Sequence, residues 1–196
     1  MIMNLFVSIV FYLVIGAAYV VWALKAVKLD CVNDLLKDFV DVSPALLCIV
    51  FHQYPAAVFL MCCLMANEFI YDNYFVGAGL FAAGYGFASI FAVVGRPFDW
   101  VALAVALGIV GTAAALVIVL YKGNKAYKIG AVVYGFACLA PCVYAFGATF
   151  NPGFLALVVG DILLILNEAF DKKPIRIASD LNYFFGTCFV PLALAR

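Results

Sequence analysis

The sequence predicts an all-α fold, a polytopic membrane helical bundle of about eight transmembrane helices, and three observations predict it. First, 69% of the 196 residues are hydrophobic and only 11% are charged. A soluble domain carries roughly 25% charged residues, so this chain lacks the polar groups to cover a water-facing surface. Second, apolar runs fill nearly the whole length, and mean hydropathy is +1.18; backbone that sits in hydrocarbon must bond to itself, which favours helices. Third, the basic residues fall into alternate breaks between those runs.

The elements follow from the breaks at charges, Pro and Gly. Span one covers about 3–24 and ends at Lys25, and the mixed stretch Lys25–Asp41 follows it. Val42–Ala66 carries no charge other than one on His52, and holds either one long helix or two short ones turning at His52-Gln53-Tyr54-Pro55. Later spans lie near 73–94, 98–120, 126–147, 151–168 and 176–194.

Eight spans place Lys25, Lys28, Lys37, Lys122, Lys125, Lys128, Lys172, Lys173 and Arg176 on one side, nine of the eleven basic residues. Arg96 and Arg196 are left opposite. Seven spans divide the same residues five against six. The positive-inside rule favours the first split, with both termini non-cytoplasmic. Two helices must then fit between about Asp38 and Tyr71, both short, with Pro44 in the first turn of span two where a missing N–H is harmless. The opening Met-Ile-Met-Asn-Leu-Phe lacks the basic region and cleavage site of a signal peptide, so the first span is expected to be retained. Residues 1–196 are expected to form a single integral-membrane, multi-pass domain, in the plasma membrane if the source is bacterial.

Small residues recur four apart at Ala78-Ala82-Gly86, Gly84-Ala88-Ala92 and Ala104-Gly108-Thr112, faces that let helices approach closely in lipid. Phe98 and Trp100 at one edge, and Tyr121 and Tyr127 at the other, fit interfacial belts.

Net charge is zero, so no basic surface points to nucleic acid. Seven cysteines accompany a single His, an odd count set mostly in apolar runs that suits small apolar filler rather than disulfides or metal ligation. No nucleophile elbow, phosphate-binding Gly-rich loop or metal motif occurs. Neither cofactor nor metal is expected, and His52 reads as a turn residue.

Asp161 is the most informative side chain. It lies in Asn151-Pro-Gly-Phe-Leu-Ala-Leu-Val-Val-Gly-Asp-Ile-Leu-Leu-Ile-Leu-Asn167, with only Gly160 and apolar residues about it. Hydrocarbon cannot solvate a carboxylate, so an intramembrane Asp implies function, or else a structural partner for a Tyr or Asn on a neighbouring helix. Other polar groups near spans are Asn167-Glu168, then Asn67-Glu68 with Asp72, then Asp180, Asn182, Tyr183 and Thr187. At 1.5 Å per residue Asp161 lies roughly 10 Å, and Glu68 roughly 6 Å, above the inner boundary. Two acids in one cavity can divide the work, one protonated and one ionised, to protonate a substrate and activate water. The same pair suits proton-coupled transport, and Glu68 alone also fits an interfacial carboxylate.

The segment Gly153-Phe-Leu-Ala-Leu-Val-Val-Gly-Asp-Ile-Leu-Leu-Ile-Leu-Asn-Glu-Ala-Phe170 resembles the seventh span of the YhhN-like family of membrane proteins, the lysoplasmalogenases. Asp180-Leu-Asn-Tyr-Phe-Phe-Gly-Thr-Cys-Phe-Val-Pro-Leu-Ala-Leu194 is similar to that family's last span. The resemblance implies hydrolysis of the vinyl ether bond of lysoplasmalogen-type lysolipids to a fatty aldehyde and a glycerophospho-alcohol. It implies two catalytic acids, here Asp161 and, with one gap allowed, Glu68. Anchoring on Val76-Gly77-Ala78 instead puts Cys62 at the span-three acid position. Asn67, Asn182, Tyr183 and Thr187 are then expected to line the substrate site, with a lysolipid and the surrounding membrane lipids as partners. The rival expectation is a non-catalytic lipid-binding, or proton- or solute-transporting, membrane protein.

Overall fold

The computed structural model describes residues 52–70, 73–121, 123–170 and 172–194, together with Val42, Ala45, Leu46 and residues 48–50. Span one, the Lys25–Asp41 stretch, Cys31, Pro44, Asp72, Lys122, Arg196 and the side chains of Glu168 and Lys173 lie outside the described residues. Among the described residues every regular element is helical: α1 (Tyr54–Ile70), α2 (Tyr74–Val93), α3 (Trp100–Leu120), α4 (Lys125–Tyr134), a π turn (Gly135–Leu139), α5 (Ala140–Thr149), α6 (Pro152–Phe170) and α7 (Lys173–Leu194).

Among the described residues, four segments are long and apolar enough to cross a membrane: α2, α3, the continuous α4–π–α5 rod Lys125–Thr149, and Pro174–Leu194 of α7. The apolar stretches of α1 and α6 are shorter. At 17 residues, α1 extends about 25 Å, the short end of what a span requires.

Polar residues at the breaks start these helices. Asn73 Oδ1 accepts from Val76 N at 3.3 Å. Asp99 Oδ1 accepts from Val101 N and Ala102 N at 2.8 and 3.0 Å. Asn124 Oδ1 accepts from Ala126 N at 2.8 Å, and Asn151 Oδ1 from Gly153 N at 2.8 Å. Each satisfies backbone donors that the first turn leaves orphaned. Pro152 opens α6, where its missing N–H costs nothing. Before α1 the chain turns at His52, whose φ is 58°, and His52 N donates to Ile49 O at 3.0 Å. Of the two arrangements open for Val42–Ala66, the chain therefore breaks at His52.

The rod Lys125–Thr149 departs from the expected plain helix. Ala140 N bonds to Gly135 O, five residues back, and this widened turn lies just before Pro141. Proline in a helix interior removes a donor and crowds the carbonyl four residues earlier. A π turn relieves that crowding without ending the helix.

Packing is set by small side chains. The α6–α7 pair makes the most extensive contact, and the α1–α2 pair the next. A Cβ on Gly153 would lie 2.6 Å from Val190 N, and one on Gly186 would lie 2.4 Å from a Leu157 methyl. A Cβ on Gly84 would lie 2.8 Å from Cys62 Cβ. The Gly84-Ala88-Ala92 face is buried as expected, and Ala78-Ala82-Gly86 is half-buried. The expected face of α3 is the outward one: Ala104, Gly108 and Thr112 are exposed, while Ala106, Val110 and Ala114 are packed. An Ala-rich helix carries such a repeat on more than one face, so spacing alone does not select the inner one.

Aromatic clusters mark the two ends. Phe98 meets Trp100 and Tyr144, with ring centroids 4.7 and 5.6 Å apart. Tyr127 lies between Tyr74 and Tyr121, at 4.6 and 5.0 Å. Lys125, Lys128, Lys172 and Arg176 accompany the second cluster's end of the bundle, while Arg96 lies at the first and donates to Ala148 O at 2.8 Å.

Candidate functional site around Asp161

The centre of the bundle is polar, although the helices around it are not. Asp161 is buried, with 7% of its surface exposed. It sits nine residues from either end of α6, about 13 Å along the helix in each direction. Such a carboxylate needs a partner from another helix, and Tyr134 supplies one: its hydroxyl donates to Asp161 Oδ2 at 2.7 Å. Tyr134 is the last residue before the π turn, so that turn forms part of the frame that presents its hydroxyl. Oδ1 has no hydrogen-bond partner among the described residues.

The close approach of α6 and α7 sets the next layer. A Cβ on Gly160 would come within 3.1 Å of Tyr183 N and 3.3 Å of Ser179 O. Ser179 is buried, and its hydroxyl donates to Gly160 O at 2.7 Å, fixing the backbone next to the acid. Tyr183 stacks edge-on against Phe81, centroids 5.6 Å apart. Its hydroxyl accepts from Asn67 Nδ2 at 3.1 Å, and the thiol of Cys63 interacts with it electrostatically. Tyr85 of α2 is fully buried, with Phe81 and Phe59 rings 5.7 and 6.3 Å away. Asp161, Tyr134, Cys63 and Tyr183 are its electrostatic neighbours. Cys63, Tyr85, Tyr134, Asp161 and Tyr183 each lie within about three residues of the middle of a helical segment, and the cluster therefore sits midway along the bundle.

No family model matches this chain, and neither a curated protein nor a solved structure does.

Of the expected site residues, the structure joins Asn67 to Tyr183 across two helices and places Asp161 beside Tyr134. Asn182 and Thr187 are half-buried and bond to their own helix, Asn182 Nδ2 to Ala178 O at 2.8 Å and Thr187 Oγ1 to Phe184 O at 2.9 Å. Glu68 is exposed; it follows the inward-facing Asn67 by one residue, a step of about 100° round a helix. Cys62 is half-buried against Gly84, and its neighbour Cys63 is the thiol that enters the cluster. His52 is exposed in a turn, its Nδ1 2.8 Å from the Tyr54 hydroxyl. Among the described residues, no three His, Cys, Asp or Glu side chains gather to hold a metal.

Tyr134, Tyr85, Cys63 and Ser179 were not singled out in the sequence. The usable signal was position. Tyr85 and Tyr134 fall mid-span, away from the interfacial belts, and a tyrosine hydroxyl at that depth requires a partner.

An apolar cavity of about 240 Å³ lies between α3, the π turn and α6, lined by Val110, Ala114, Gly135, Leu139, Ile162 and Leu166 among others. Gly135 and Ile162 of its wall each follow a member of the hydrogen-bonded pair in sequence, but neither Tyr134 nor Asp161 lines it. Chemically, a protonated Asp161 can give up a proton, and Tyr134 can stabilise the carboxylate left behind. The ionised acid can then accept a proton from water.

Proposed function

We propose that this chain is an eight-span membrane hydrolase, both termini non-cytoplasmic, that cleaves the vinyl ether bond of lysoplasmalogen-type lysolipids. The observation that carries the proposal is the Asp161–Tyr134 pair: a buried carboxyl group with one oxygen held and the other open. In the proposed reaction Asp161 transfers its proton to the vinyl carbon distal to the ether oxygen, leaving an oxocarbenium ion. Water adds to the ether-bearing carbon as the Asp161 carboxylate takes one of its protons. The resulting hemiacetal collapses, its hydroxyl proton passing to the departing glycerol oxygen, to give fatty aldehyde and glycerophospho-alcohol. One acid thus serves both proton transfers. The cavity beside Ile162 suits the hydrocarbon chain, and the Asn67–Tyr183 pair supplies polar atoms for the headgroup side. Hydrolysis in D₂O tests this proposal: the aldehyde should carry one deuterium on the carbon next to the carbonyl, and aldehyde without it would refute protonation at carbon.

A second reading rests on depth. A carboxyl group midway along its helix, bonded to a tyrosine hydroxyl, also suits proton-coupled transport. Proton uptake by proteoliposomes, lost in Asp161→Asn and independent of any aldehyde release, would favour that reading.

A further inference from the structure

The mechanism above leaves one buried polar atom unused, the hydroxyl of Tyr85. It is enclosed and has no hydrogen-bond partner among the described residues, although the ring around it is fully buried. Folded proteins rarely leave such a group unpaired, because it has lost its bonds to water and gained none in return. The neighbourhood is not an apolar pocket that happens to contain a tyrosine. Asp161, Tyr134, Cys63 and Tyr183, on four other helices, act on the hydroxyl electrostatically. Of these, Tyr134 and Tyr183 are already committed, to Asp161 Oδ2 and to Asn67, while Asp161 Oδ1 is open. Gly84, immediately before Tyr85, lets α1 close to within contact of α2, which seals the ring inside rather than leaving it to lipid.

We propose that Tyr85 is a ligand-facing residue of the Asp161 site, whose hydroxyl, with Asp161 Oδ1, holds the neutral oxygen on which the site acts. That oxygen belongs either to the attacking water or to the lipid ether, and both present lone pairs to a phenolic donor. This assignment deepens the hydrolase reading and rests on it for the identity of the ligand.

The experiment is Tyr85→Phe, compared with wild type for melting midpoint, aldehyde release from a lysoplasmalogen, and the midpoint shift given by the saturated alkyl-ether lysolipid, which cannot be hydrolysed by this route. The variant is isosteric and deletes only the oxygen. The expected result is an unchanged or raised midpoint without lipid, with turnover at least ten-fold lower. If the shift by the saturated ether is also lost, the oxygen held is the lipid's; if the shift persists and only the turnover number falls, it is the water's. A lowered midpoint without lipid would show that the hydroxyl is paired within the protein, and would overturn the assignment. Wild-type turnover and wild-type shift in the variant would overturn it as well. If wild type releases no aldehyde, the hydrolase reading fails separately. The assignment then stands only if the saturated ether shifts wild type and not Tyr85→Phe, and is overturned otherwise.

Discussion

Tyr134→Phe isolates the interaction that the proposed chemistry needs most. The substitution keeps the ring and removes one oxygen, the donor 2.7 Å from Asp161 Oδ2. That separation is ordinary for a hydroxyl donating to an oxygen, and such a bond strengthens when the acceptor becomes ionised. Hydrogen bonds to charged groups contribute about 1.5–3 kcal/mol. In the proposed reaction the bond is strongest when Asp161 has given up its proton, so most of that energy acts on the protonation step. A barrier raised by about 1.5–3 kcal/mol slows the reaction roughly 10- to 150-fold. The assay is kcat/KM for aldehyde release in detergent, with the melting midpoint recorded alongside. The variant should be slow and somewhat less stable, because a buried carboxyl oxygen has lost its partner. Wild-type kcat/KM in a well-folded Tyr134→Phe would refute the reasoning, since the only bond made to Asp161 by the described residues would then be irrelevant to its chemistry.

Other perturbations separate packing from chemistry. Gly153→Ala brings a Cβ to 2.6 Å from Val190 N, a backbone atom that cannot swing aside, and should destabilise by about 1–3 kcal/mol. Gly79→Ala has nothing within 4 Å of the new methyl and should gain up to about 1 kcal/mol from helix propensity; reversed midpoints in thermal unfolding would count against the α6–α7 packing described above. Glu68→Gln, at an exposed position, should retain kcat within about a factor of two, since surface substitutions away from a site change energies by about ±0.5 kcal/mol. A loss as deep as that expected of Asp161→Asn would instead make Glu68 a second acid.

The helical architecture was legible because charges and caps punctuate an otherwise apolar chain. Asn73, Asp99, Asn124 and Asn151-Pro152 each stand at a helix start that the breaks in hydropathy also mark. The break at His52 was legible for a related reason: the His52-Gln53-Tyr54-Pro55 stretch is the one polar interruption between Val42 and Ala66. The π turn before Pro141 could be suspected from the proline alone, but its location and direction depend on neighbours. Asp161 stood out because a lone carboxylate in an apolar run is costly wherever it points. Its partner did not stand out. Tyrosine is at home both in interfacial belts and in buried clusters, and depth along the rod hints at Tyr134 over Tyr127 without naming Asp161 as its acceptor. The choice between Asn67 and Glu68 likewise rests on a single helical step, finer than gapped matching of a short motif can fix.

The most direct test of the account is aldehyde release from a lysoplasmalogen by purified wild type and Asp161→Asn, each first shown to be folded by its melting profile. Release is expected from wild type and none above background from the variant, since the amide cannot donate and recover the proton. Equal release by the two proteins, or silence from well-folded wild type, would contradict it.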